Sequence, residues 1–280
     1  MQKLDRLGWA DGISFTSYGL RIGIRVNRAK LPVEISNCLP IRSRRFRSNS
    51  PVDHLYSFVI SDSDPAARLH RFNLVYRNAM LVGRHADYQA ALELLSSDLQ
   101  RLVAESSTKE IFIHAGVVGF RGRAILMPGS SQSGKSMLTA ALVRAGASYY
   151  SDEYAVLDSV GRILPYPIAL SLREERRVRK LSASELGGSC GLRALPVGAV
   201  ILTEFQHGKT WQPKVLSPGR GILGVLRHMV QAQTRTEEVL QRLSRAASRC
   251  IFLSGSRGEA DQTAKDLLYR FRNKGWSPGD

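Results

Sequence analysis

The 280-residue chain is poor in cysteine, in acidic residues and in long apolar runs, and each shortage excludes something. Its three cysteines, Cys38, Cys190 and Cys250, are odd in number, far apart and outside any C-x-x-C spacing. With six histidines equally scattered, no structural metal is expected, and the cysteines read as reduced and packed. No apolar run approaches the ~20 residues of a membrane span. The first residues, MQKLDRLGWADG, lack the apolar stretch of a secretory signal, so the expectation is a soluble, cytoplasmic protein with no membrane partner. No internal repeat is visible. Acidic residues number 24 against 40 basic ones, a net charge of +16.

The basic residues cluster at Arg42-Ser43-Arg44-Arg45-Phe46-Arg47 and from Arg173 to Lys180. No recognition-helix, zinc-finger or aromatic-sheet motif accompanies them, which ranks nucleic acid last among partners. A solvated basic surface and an acidic partner, whether peptide, protein or nucleotide, both remain open. With 43% hydrophobic residues there is ample material for one large or two modest domains.

The most informative stretch is Gly129-Ser130-Ser131-Gln132-Ser133-Gly134-Lys135-Ser136. It spells G-x-x-x-x-G-K-[ST], the loop that wraps nucleotide phosphates. An apolar run, Ala124 to Met127, enters it, and a helix-like run, Met137 to Val143, leaves it. Strand, glycine loop and helix make the geometry in which backbone N–H groups and a helix N-terminus converge on an anion.

Hydrophobic period organises the rest. The first ~85 residues are β-rich. Strand candidates are Ile13 to Val26 (interrupted by Gly19 and Gly23), Leu55 to Ile60, Arg71 to Tyr76 and Ala79 to Val82, with Arg77-Asn78 as a two-residue turn. Pro40 to Asp53 is polar and basic and reads as a mobile loop. From Asp87 to Ala104 the apolar residues take helical spacing, with Asp87 as the cap, in a helix expected to join two regions. Next come strands at Ile111 to Phe120 and Arg123 to Met127 around Arg121-Gly122, a helix ending before Gly146, and strands at Ser148 to Tyr150 and Tyr154 to Leu157. Ser159 to Arg162 turns the chain into Ile163-Leu164; further on, Ala199 to Leu202 and Ile251 to Leu253 read as strands, and Ile222 to Val230, Glu237 to Ala247 and Ala260 to Phe271 as helices. The fold class is α/β, with residues 107–280 as a nucleotide-binding catalytic domain and residues 1–106 as a smaller α+β region for acceptor binding or regulation.

In a phosphate loop Lys135 reaches the β- and γ-phosphates, and Ser136 takes a place on Mg²⁺. Mg²⁺ also needs a carboxylate, and Asp152 and Glu153 follow Lys135 by only 17 and 18 residues. A right-handed crossover returns their strand parallel to the one feeding the loop, with the acidic pair beside the phosphates. One carboxylate then serves the metal and the other accepts the proton of an attacking hydroxyl. Strand neighbours point to opposite faces, so both reach the site only from a twisted strand end. His114, 15 residues ahead of Gly129, is not singled out by spacing.

In order along the chain, Phe112-Ile113-His114-Ala115-Gly116-Val117-Val118, Gly122, the loop Gly129 to Ser136, and Ser151-Asp152-Glu153 resemble the catalytic domain of HPr kinase/phosphorylase. Gly161-Arg162 and Pro165 to Arg173 look more like the HPr-kinase-related proteins found beside peptide-modification genes, including those of lasso peptides and of small PqqD-like carriers. Tyr18 to Arg25 looks like that group too, although the main similarity covers about Ile111 to Arg272. The resemblance implies a P-loop core of the HPr kinase/PEP carboxykinase type that binds ATP and Mg²⁺. Asp152 and Ser136 fall on the metal side, Glu153 matches the base, His114 matches an active-site histidine, and Arg173 is the nearest candidate for a further phosphate contact. Glu153 stands where the bifunctional enzyme has aspartate, and Ala115 replaces a glycine. The E-[IV]-R-G-x-G segment that contributes to phosphorylase activity is not recognisable, which argues against a reversible enzyme and against HPr as acceptor.

The expectation is therefore a Mg-ATP-dependent kinase acting on a hydroxyl, serine of a peptide or small protein of acidic character. The bifunctional relatives are hexamers, so a homo-oligomer is an expectation by fold analogy alone. The competing class is a nucleotide-binding accessory module of a peptide-modification complex that transfers nothing.

Overall fold

The computed structural model describes residues 2–46, 50–61, 72–129, 133–174, 177–273 and 275. Helices and strands alternate through three sheets in a mixed α/β architecture. The chain divides into two compact units, Met1–Lys109 and Glu110–Asp280.

In the first unit a short helix α1 (Gln2–Asp5) precedes β1 (Asp11–Ser17) and β2 (Leu20–Val26). These two strands split the predicted Ile13–Val26 run into a hairpin at Tyr18-Gly19, both at positive φ, 48° and 90°. That is the geometry whose twist matches the strands. After α2 (Val33–Asn37) come β3 (Arg44–Phe46), β4 (His54–Val59), β5 (Asn73–Arg77), β6 (Met80–His85) and α3 (Tyr88–Ser106). The sheet order is β3-β1-β2-β4-β5-β6, with β2 and β4 parallel and the other pairs antiparallel.

Two expectations change here. Part of the segment predicted as a loop is the edge strand β3, paired to β1 at Phe15↔Arg45. The β5–β6 turn is Asn78-Ala79 rather than Arg77-Asn78, because Asn78, which tolerates positive φ, takes 54° while Arg77 still pairs with Met80. Helix α3 belongs to the first unit and packs its Ala91, Leu95, Leu99 and Val103 face inward there. Asp87 caps it as predicted, accepting from Ala90 N–H at 2.7 Å. Its one buried acid, Asp98, is matched by Tyr56 Oη at 2.7 Å, Arg77 at 3.4 Å and Arg101 at 2.5 Å.

The second unit holds β7 (Ile111–Phe120), β8 (Arg123–Pro128), α4 (Lys135–Arg144), β9 (Ser148–Ser151), β10 (Tyr154–Leu157), β11 (Arg162–Leu164), β12 (Leu170–Glu174), β13 (Arg177–Leu181), β14 (Leu195–Phe205), β15 (Lys214–Leu216), α5 (Pro218–Leu226), α6 (Thr236–Ala247), β16 (Ile251–Arg257) and α7 (Ala260–Asn273). An eight-stranded sheet runs β11-β10-β7-β8-β14-β16-β15, with β9 beside β7; β12 and β13 form a separate hairpin. Period-2 alternation sorts its residues onto two cores. Val118, Ile125, Ala199, Ile201, Ile251 and Leu253 face α4 and α7, whereas Val117, Leu126, Val200 and Phe252 face α5 and α6. The two-residue turn Arg121-Gly122 takes φ of 47° and 77°, as a tight hairpin requires.

The predicted crossover is altered. Strand β9 does return in the direction of β8, but the long antiparallel β7 lies between them. The predicted helix Ile222–Val230 ends as α5 at Leu226, and its last residues bridge to β7 instead. Of the cysteines expected to be packed, Cys250 is buried and Cys190 is exposed, because the latter lies in the irregular segment before β14. Arg71 and Arg47, placed in a strand and a basic cluster above, lie outside the described residues.

Candidate functional site

A cavity of about 760 Å³ opens at the N-terminus of α4, lined among others by His114, Gly129, Gly134, Lys135, Ser136, Asp152 and Glu153. The fold thus brings together seven of the twelve residues singled out in the sequence. Ser133 lies beside them in the loop, with its hydroxyl buried and without a hydrogen-bond partner among the described residues. Ser130, Ser131 and Gln132 lie outside the described residues. The Arg173 backbone pairs with Val178, which lines the cavity, while the Arg173 side chain is outside the described part.

The glycine positions have steric reasons. Gly134 caps α4 at φ 80°, in the left-handed region. A Cβ at Gly129 would meet Ser133 Oγ at 2.6 Å. The Gly129 N–H donates to the His114 carbonyl at 3.3 Å, which ties the start of the loop to β7.

The acidic pair sits in an interruption of one long strand. β9 and β10 both run antiparallel to β7, the first opposite Val117–Gly119 and the second opposite Ile111–His114. Between them Ser151 Oγ accepts the Tyr154 N–H at 3.1 Å, closing a turn over Asp152-Glu153. Only the Glu153 carbonyl stays on the ladder, accepting Ala115 N–H at 3.3 Å. Freed from strict alternation, both carboxylates line the same cavity, through a mid-strand turn where a strand end was expected.

Their environments differ sharply. Asp152 is 6% exposed, and its Oδ2 accepts the Ser136 hydroxyl at 2.7 Å. Its Oδ1 is buried with no hydrogen bond of good geometry among the described residues, although the Ser171 backbone N–H acts on the carboxyl. Burial pushes the carboxyl up to about 6, against the pull of the Ser136 hydroxyl and the Lys135 charge. Glu153 is half exposed, with its Oε1 3.8 Å from His114 Nδ1. His114 lies on the same face of β7 as Phe112 and Gly116, with its ring 4.8 Å from that of Tyr154. Phe112, Tyr154 and Tyr166 pack edge-on beneath at 5.8–6.3 Å.

An under-satisfied buried carboxylate oxygen beside a hydroxyl is a hard-oxygen pair that suits Mg²⁺. Among the described residues no group of three His, Cys, Asp or Glu could form an all-protein cage. One carboxylate with the rest of the shell from phosphate and water is the way Mg²⁺ is usually held beside a nucleotide.

Sequence reasoning missed His228 and Arg257. The chain after α5 is latched along β7: His114 N–H donates to the His228 carbonyl at 2.8 Å, Val230 N–H to the Phe112 carbonyl at 3.0 Å, and Phe112 N–H to Gln231 Oε1 at 3.0 Å. This strap puts His228 and Arg227 on the cavity wall. Burial, then the charges of Lys135, His114 and Arg227, holds the His228 imidazole below its ordinary pKa. No motif flags either residue: His228 falls in the predicted helix Ile222 to Val230, and Arg257 lies beyond the predicted strand Ile251 to Leu253.

No family model matches the sequence, and no curated protein does. Among solved structures, the Hpr(Ser) kinase/phosphatase from Coxiella burnetii is similar over 58% of this chain and 96% of that one, at 14% identity and a TM-score of 0.31.

Proposed function

We propose that the chain is a Mg-ATP-dependent kinase that transfers the γ-phosphoryl group to a hydroxyl, serine of a peptide or small protein. One observation carries the reading: Ser136 and the buried Asp152 are joined at 2.7 Å at the head of α4, and a second, solvent-reaching carboxylate, Glu153, lies next in sequence on the same cavity. Two adjacent acids with opposed environments suit two different tasks.

The roles follow from the side chains. Backbone N–H groups of the 129–136 loop and the Lys135 ammonium hold the β- and γ-phosphates. Ser136 and Asp152 are the residues that would hold Mg²⁺, which when bound neutralises phosphate charge and polarises the transferred group. Glu153 takes the proton of the acceptor hydroxyl as its oxygen forms a bond to the γ-phosphorus. The bond from that phosphorus to the β–γ bridging oxygen breaks, and ADP leaves with the electron pair. His114, 3.8 Å away, orients the Glu153 carboxylate. Ile168, Ala169 and Met229 line the same cavity and offer apolar contact to the acceptor. The basic surface favours an acidic acceptor.

The test uses γ-labelled ATP with candidate acceptors. Lys135→Ala is expected to abolish nucleotide turnover. Glu153→Gln is expected to keep ATP affinity within about threefold while transfer falls by about 10²-fold or more. Transfer by Glu153→Gln at the native rate would overturn the base assignment. Tight ATP binding with no acceptor ever labelled would favour the non-catalytic accessory module.

A further inference from the structure

Arg257 ends β16 and is, by volume, the largest of the fully buried side chains, 2% exposed. Its Nη2 donates to the Gly134 carbonyl at 2.8 Å and its Nη1 to the Gly258 carbonyl at 2.9 Å. The Phe205 ring lies 5.5 Å from the guanidinium carbon, and Nε is buried without a hydrogen-bond partner among the described residues. Among those residues it forms no ion pair; the one carboxylate that acts on it, Glu259, has a 74% exposed side chain. A positive charge is therefore buried against two carbonyl dipoles and an aromatic ring, with its one acting carboxylate out in solvent, an arrangement that is costly unless something else supplies the counter-charge.

The place of this charge indicates what supplies it. Gly134 is the N-cap of α4, and its carbonyl also accepts the Leu138 N–H at 3.1 Å, so the guanidinium pins the first turn of the helix that carries Lys135 and Ser136. A Cβ at residue 134 would overlap Nη2; the glycine leaves the space that the guanidinium fills. Arg257, Ser133, Gly134 and Lys135 line one small pocket at the first turn of α4. The helix N-terminus, Lys135 and Arg257 thus all add positive potential at the head of α4.

We infer that Arg257 is a positioning residue for a polyphosphate ligand held at Gly134, Lys135 and Ser136 at the head of α4, its buried charge being neutralised when that ligand binds. The inference rests on the reading of that helix head as a phosphate site and adds to it a residue that touches no ligand. It also accounts for the absence of a buried acidic partner among the described residues: a carboxylate beside Arg257 would cancel the field that the ligand uses.

Titration calorimetry with Mg·ATP on the full chain tests it. Arg257→Gln, which keeps a donor for the carbonyls but no charge, is expected to weaken ATP binding by about tenfold or more. Arg257→Lys, which keeps the charge and loses the fork, is expected to stay within about threefold of the native chain, because the field at the helix head depends on the charge. Equal losses in both variants would assign the effect to packing and overturn the inference, as would an Arg257→Gln that binds like the native chain. Melting curves without ligand accompany the titrations. Should Arg257→Gln fail to fold, Arg257→Lys decides alone, a loss of about tenfold overturning the inference. Lys135→Ala separates the two readings. If the native chain binds ATP, Lys135→Ala does not and Arg257→Gln still does, only the role of Arg257 falls; a native chain that binds no ATP removes both.

Discussion

At the scale of single residues, Asp152 sets burial against charge. Its carboxyl stands at about 6, against an ordinary 3.8, because burial disfavours the ionised form. The folded chain therefore holds this proton more tightly than the unfolded chain. Below about pH 4 the group is neutral in both states and its burial is harmless. As pH rises through 6 an ionised carboxylate has to be kept buried, and up to about 3 kcal/mol of stability is lost. In chelator, Asp152→Asn is thus expected to raise the melting temperature at pH 8 and leave it unchanged at pH 4, as followed by circular dichroism. A variant destabilised equally at both values would show that the Ser136 hydrogen bond outweighs burial. That Asp152, Glu153, Lys135 and Ser136 would lie together was legible in the sequence, because a loop followed by one helix and one strand leaves little freedom in spacing. His228 and Arg257 were not, because each acts through contacts between segments more than 100 residues apart, to which periodicity is blind.

At the scale of elements, β7 organises the site. It carries His114, pairs with β8, β9 and β10, and lies directly against α4 at Gly116, where a Cβ would overlap the Thr139 hydroxyl. Gly116→Val is expected to push α4 off the sheet, costing about 1–3 kcal/mol by overpacking and separating Ser136 from Asp152. Chemical denaturation measures the first effect. The second appears as weakened Mg²⁺-dependent ATP binding, whereas a variant with native stability would contradict the close contact. Most elements were readable from period and punctuation, down to the Asp87 cap and the Arg121-Gly122 turn. Two of the failures share a cause. The β3 strand and the bridge at Met229 exist only because a partner strand offers them hydrogen bonds, and neither has apolar alternation of its own.

At the scale of the whole molecule, every described residue assigned to the site lies in Glu110–Asp280, and that unit encloses its own two cores. A fragment spanning residues 110–280 is accordingly expected to fold and to bind ATP within about threefold of the full chain. Calorimetry checks this; a fragment that binds no nucleotide would show that residues 1–109 are required for the site. No helix among the described residues is long and apolar enough to cross a membrane. The charge of +16 acts at this scale as well, and binding of an acidic acceptor peptide is expected to weaken steeply with salt.

By itself the sequence determined the local grammar: which stretches alternate, where glycine must turn the chain, and that a lysine, a serine and two acids fall within reach of one glycine loop. These are properties of neighbours along the chain, where backbone sterics and side-chain period dominate. Only the tertiary structure decided that β7 would lie between β8 and β9, that a turn closed by Ser151 would let both acids face one cavity, and that a buried arginine would stand at the first turn of α4. Those outcomes depend on which distant groups are desolvated together, a choice made when the sheet closes and not before.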